Sequence, residues 1–176
     1  MRLLFAVEAS GMVPQVERIA ADFGIPVHSS GGFDSLTAKH DLACMLEDWP
    51  DAEVLHIGDH DPSGVHLFAS LAEDVQALAQ TAGTIEFTRL AVTRDQIASL
   101  GLPTAPAKPT DRRAFTGETV QAEAIPPDVL AIIVRTAIEE RINRNTFAAV
   151  LAEEDRVRMT LRAELVPMLE RFRTGL

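Results

Sequence analysis

At 176 residues the chain has room for one domain with a helical appendage and for a real hydrophobic core. Its apolar fraction of 47% beside 24% charged residues is that of a globular protein, and no apolar run reaches the length of a membrane span. The net charge of −10 argues against strong, sequence-blind nucleic-acid binding by this chain alone, and the single cysteine excludes an internal disulfide or a multi-cysteine zinc cluster.

Leu3 to Val7 reads as a first strand; Glu8 follows too early for the segment to be a signal peptide. Val13, Val16, Ile19, Ala20 and Phe23 recur at helical spacing, with Gly24 as a stop. Ile25 to Val27 predicts a short second strand, then a turn over Ser29 to Gly32, then a helix from about Asp34 to Asp48. Cys44 falls inside that helix and reads as a core residue in a reducing cytoplasm. Val54 to Ile57 is a third strand, and Pro62 at a first helical position opens a helix to about Thr81. Thr84 to Leu90 predicts a fourth strand. The alternation of strand and helix is the signature of a parallel α/β sheet.

Past residue 92 the pattern breaks. Thr93 caps a short helix to Leu100, and Pro103, Pro106 and Pro109 mark an irregular connection. Thr119 to Ala124 predicts a short extended piece. Pro126-Pro127-Asp128 starts a helix, Asn143 to Asn145 breaks it, and a last amphipathic helix carries dense charge between its apolar residues. The expected organisation is an α/β domain over 2–92, an irregular connection over 93–125 and a helical pair over 126–174. The pair serves as core packing or as a surface for homo-oligomers.

The chemistry concentrates at Gly58-Asp59-His60-Asp61-Pro62-Ser63-Gly64, between a strand and a helix. Ligands of open parallel sheets gather outside the carboxyl ends of strands, where strand one ends at Glu8 and strand three at Asp59 and Asp61. If those strands are neighbours, three carboxylates converge, and a Mg²⁺ ion relieves their repulsion. The helix amino terminus after Asp61 favours an anion such as a phosphate, and Gly58 and Gly64 permit close backbone approach. The set points to metal-assisted phosphoryl transfer. The plainer alternative is that Asp-x-Asp is a helix cap plus a turn residue. His56 reads as a satisfied buried group, while His60 faces either substrate or solvent. Arg112 and Arg113 with Lys108 form a local basic track for a nucleic-acid backbone.

The set Val7-Glu8-Ala9-Ser10, Ser30-Gly31-Gly32-Phe33 and Gly58-Asp59-His60-Asp61-Pro62-Ser63-Gly64, in that order and spacing, resembles the Toprim domain of topoisomerases, bacterial primases and certain nucleases. Its closest flavour is the Toprim domain of the topoisomerase VI A subunit, and small stand-alone Toprim-like proteins share the Glu123 to Asp128 entry into a closing helix. The likeness covers about residues 2 to 92. It implies a Rossmann-like fold with a mostly parallel four-stranded sheet flanked by helices, plus a C-terminal helical extension. It implies Glu8 as general acid or base and as a metal ligand, and Asp59 and Asp61 as catalytic residues that hold Mg²⁺, with Mn²⁺ or Ca²⁺ as substitutes. Substrate contacts fall to Gly31, Gly32, His60, Ser63, Gly64, Arg112 and Arg113.

Topoisomerases cut DNA through a tyrosine, and this chain has none. Three expectations follow: a Mg²⁺-dependent nuclease, acting on DNA in preference to RNA; a subunit whose partner supplies the tyrosine and a winged helix; or a metal-binding scaffold without turnover.

Overall fold

The computed structural model describes residues 2–30, 35–49, 51–80, 83–108, 111, 113 and 115–174. Four parallel strands, β1 (Arg2–Val7), β2 (Val27–Ser29), β3 (Asp51–Ile57) and β4 (Thr84–Ala91), form one sheet in the order β2-β1-β3-β4. The helices are α1 (Val13–Ala20), α2 (Leu36–Glu47), α3 (Pro62–Leu78), α4 (Arg94–Leu100), α5 (Pro127–Arg141) and α6 (Arg144–Thr174). This is a Rossmann-like α/β architecture with a C-terminal helix. Two compact units divide within α5, Met1–Ala137 and Ile138–Leu176.

The two central strands, β1 and β3, are buried almost throughout because a parallel sheet is covered on both faces, while the edge strands β2 and β4 are partly exposed. Leu4, Ala6 and Val54 form one cluster with Leu42, Ala43 and Leu46 of α2 and Leu71 and Val75 of α3. Phe5, Val7, Leu55 and Ile57 alternate to the opposite face and are fully buried there. At the edge of the α2–α3 pair, Lys39 Nζ donates to Asp74 at 2.5 Å and to Ser70 at 2.7 Å.

Several boundaries moved for identifiable reasons. The second strand starts at Val27, two residues later than its apolar run, because Pro26 cannot donate and Ile25 N closes the preceding turn on Ala20 O. The third strand starts earlier, at Asp51. Its polar opening residues pair on both sides, and buried Glu53 accepts from Thr88 Oγ1 at 2.7 Å. Thr93 caps α4 in a capping box with Gln96, as its position suggested. The break near residue 143 is a helix start, with Asn143 Oδ1 accepting from Thr146 N at 3.0 Å. Cys44 is a correction: it is exposed rather than core, with Sγ 3.7 Å from the His40 ring nitrogens. Among the described residues no helix is long and apolar enough to cross a membrane.

Candidate functional site at the carboxyl end of the sheet

Parallel pairing of β1 with β3, Val7 opposite Ile57, makes the two acid-bearing strand ends neighbours. Glu8 leaves β1 with its N–H bonded to Ile57 O at 2.8 Å, and its Oε2 accepts from Asp59 N at 3.0 Å. One carboxylate therefore stitches the end of β1 to the loop after β3. Two glycines make room for it. A Cβ on Gly58 would overlap Glu8 Oε2 and the His56 ring, and one on Gly64 would overlap Asp59 O and stand 3.0 Å from Glu8 Oε2.

Asp61 is the N-cap of α3, in extended conformation, with Oδ1 accepting from Gly64 N at 2.7 Å; Pro62 occupies the first turn. Asp59 Oδ1 accepts from Ala122 N at 2.8 Å. The segment that supplies Ala122 is laid beside the loop by an antiparallel bridge between His60 and Val120. So part of the expected irregular connection helps to build the site.

The bland reading of Asp-x-Asp is thus partly realised, since Asp61 caps a helix and Asp59 anchors a loop. Among the described residues, no group of three or more His, Cys, Asp or Glu side chains is arranged to hold a metal ion. What the fold brings together is a charge imbalance instead. Burial, the largest cause, pushes the Glu8 carboxyl above its ordinary value of 4.5, and the charges of Asp59 and Asp61 add to the rise. Burial does the same to Asp59, reinforced by Glu123 and Asp61. Hydrogen bonds from Asp59 N and Ala122 N oppose these rises in part.

Arg89 is the counter-charge, and the sequence reading missed it. In register it stands opposite His56, on the same sheet face, and a register shift between His56 and Ile57 follows at once. Its guanidinium donates to Gly64 O at 3.2 Å, Gly58 O at 3.0 Å, Val92 O at 3.2 Å and Asp59 O. One cation therefore clasps three carbonyls of the Gly58–Gly64 segment. The available signal was an arginine on the inward side of an otherwise ordinary strand.

His56 is buried as expected, but among the described residues neither ring nitrogen has a hydrogen-bond partner, and the ring lies tilted against Phe68 at 4.9 Å. Burial first, then the charge of Arg89, lowers its pKa to about 3. His60 is also buried rather than solvated, tilted against Phe115 at 5.3 Å. Its pKa is lowered by burial and by Arg89 and Arg94.

A cleft of about 640 Å³ opens beside Asp61, Pro62 and Ser63, with Lys108, Asp111 and Arg113 on its far wall. Arg113, one of the three residues of the expected basic track, is ion-paired to Asp111 at 2.9 Å. Gly31, Gly32 and Arg112 lie outside the described residues.

Fold and site together define a Rossmann-like α/β domain with Glu8, Asp59 and Asp61 gathered at its carboxyl strand ends. No family model, curated protein or solved structure matches the chain.

Proposed function

We propose that this chain is a Mg²⁺-dependent enzyme of nucleic-acid phosphoryl transfer, most simply a nuclease, working in the manner of the Toprim domain its motifs resemble. The observation that carries the reading is the Glu8–Asp59 link at 3.0 Å, which gathers carboxylates from two adjacent strand ends around one arginine. Glu8, Asp59 and Asp61 outnumber Arg89, and Glu123 adds to the excess. A divalent ion answers that imbalance. Mg²⁺ commonly takes one or two carboxylates and completes its shell with water and substrate phosphate, so it does not need a finished cage of protein ligands. The donor set of hard oxygens fits it, and Asp59 and Asp61 are the residues that would hold it. When bound, the ion supplies charge stabilisation for the pentavalent phosphorus.

The chain's own groups divide the remaining work. The amino terminus of α3 faces substrate phosphate, with Ser63 and Gly64 in its first turn. Glu8, with its pKa raised, serves as general acid or base, exchanging a proton with attacking water or the leaving oxygen. Arg89 holds the loop so that these groups keep their places. A cytoplasmic setting fits the exposed thiol of Cys44.

The test is cleavage of DNA and RNA oligonucleotides by the purified chain with Mg²⁺. Activity is expected to fall at least about a hundredfold in Glu8→Gln and Asp59→Asn, both of which keep a hydrogen-bond acceptor for the backbone. A folded chain inert on both substrates, with or without a partner, overturns the reading.

One observation favours the subunit alternative. Val157, Leu161, Leu165, Met168 and Phe172 of α6 are all exposed, an apolar face suited to a protein partner. Activity that appears only with a second chain bearing a tyrosine and a winged helix would select it.

A further inference from the structure

A smaller pocket of about 350 Å³ is lined by His60, Arg89, Thr93, Arg94, Phe115 and Thr116. Its composition differs from that of the acidic site: two guanidiniums, two rings and hydroxyls, and no carboxylate.

Arg94 is the cation open to a ligand. Arg89 lines the pocket as the counter-charge of the neighbouring acids, its donors given to the carbonyls of Gly58, Asp59, Gly64 and Val92. Arg94 is exposed, and its one engaged nitrogen donates to Thr116 O at 3.1 Å and to Thr116 Oγ1 at 3.3 Å. A guanidinium has five N–H donors, so most of that fork remains open. Arginine in this state is suited to phosphate oxygens, which it binds through paired donors. The rings supply the other half. Phe115 is half-buried and tilted 59° against His60, so the pair does not close face to face and leaves ring surface toward the pocket. A flat, sequence-tolerant partner for an aromatic face is a nucleobase.

We propose that this pocket binds one nucleotide of a single-stranded nucleic acid, with Arg94 on a backbone phosphate and Phe115 stacked on the base. This rests on the nucleic-acid reading of the adjacent acidic site. His60 lines the pocket and stands between Asp59 and Asp61 in the chain, its main chain bonded twice to Val120, with N–H to O 2.8 Å and O to H–N 3.0 Å. The strand therefore passes from the pocket over His60 to the carboxylates, and the nucleotide held here flanks the one that reacts.

The test measures binding of a fluorescein-labelled single-stranded DNA hexamer by anisotropy in Ca²⁺, which holds charge without promoting turnover. Arg94→Ala and Phe115→Ala should each weaken binding about tenfold or more, which is about 1.4 kcal/mol. Arg94→Lys should fall between, keeping charge but losing the fork. Phe115→Trp should restore binding, and its emission should be quenched as the hexamer is added. Wild-type affinity in both alanine variants, with circular dichroism unchanged, overturns the proposal. So does thymidine monophosphate binding as tightly as the hexamer, which would make the pocket a site for a free mononucleotide. Mn²⁺ binding, read by electron paramagnetic resonance on the same samples, separates the two readings. Hexamer binding through Arg94 and Phe115 without Mn²⁺ binding or cleavage sinks the enzyme reading alone. Cleavage unaffected by either alanine change sinks this one alone.

Discussion

Two charged corners of the same α/β unit behave in opposite ways. At the α2–α3 edge, Lys39 meets Asp74 and Ser70, and those hydrogen bonds hold the Asp74 carboxyl below its ordinary value. At the carboxyl end of the sheet, Glu8 and Asp59 are pushed up, chiefly by burial, with the charges of neighbouring acids adding to the rise and Arg89 opposing it. The first corner is a matched ion pair and needs nothing more. At the second, acids outnumber the one arginine among the described residues, the arrangement on which the proposed metal site rests.

Breaking the imbalanced corner at its counter-charge should have the largest effect. Arg89→Met removes the guanidinium donor from the carbonyls of Asp59, Gly64 and Gly58, the last of which keeps only Val92 N, and should cost about 2–4 kcal/mol in chemical denaturation. Lys39→Met should lower the melting temperature by only a few degrees, since Asp74 is left in contact with water. Similar losses in the two variants would erase the contrast.

Acid sensitivity comes next. His56 has an ordinary value of 6.5 and a folded value of about 3. Between these limits the unfolded chain holds a proton that the folded chain refuses, so stability is complete above 6.5 and falls with pH, by up to about 1.4 kcal/mol per unit. Glu8 and Asp59 act in the other direction. Their raised folded pKa values mean a cost that is present at neutral pH and relieved as pH falls through those values toward the unfolded ones. His56→Phe, which keeps a ring against Phe68, should flatten the loss between pH 6.5 and 5. Thermal melts across that range that coincide with wild type would show the imidazole to be protonated or solvated in the fold.

The smallest expected effect is that of the metal itself. Mg²⁺ at ten times its dissociation constant should stabilise the chain by about 1.4 kcal/mol, and a chelator should remove that gain. Glu8→Gln and Asp59→Asn should lose the response while melting at or above the wild-type temperature without Mg²⁺, because the repulsion is gone. Equal Mg²⁺ responses in all three chains would detach the ion from these acids.

The strand–helix alternation, the Thr93 cap, Pro62 at the head of α3 and the Gly58 to Gly64 loop were all legible in local spacing, since each depends on neighbours within a few residues. Misreadings came where a distant partner intervened. Asp51 to Glu53 look too polar for a strand until β1 and β4 pair with them, and Cys44 looks like core until α2 turns it outward.

The site divides along the same line. The sequence alone placed Glu8, Asp59 and Asp61 at strand ends, because backbone periodicity decides where a strand stops. Tertiary structure decided what those acids meet. Pairing of β1 with β3 brought Glu8 onto Asp59 N, β4 delivered Arg89 beneath the loop, and a segment some sixty residues away gave Ala122 N to Asp59. Those partners are far apart along the chain, and no local pattern encodes them. Charge balance is a sum over neighbours in space, so only the folded chain could show that several acids face one arginine at this corner.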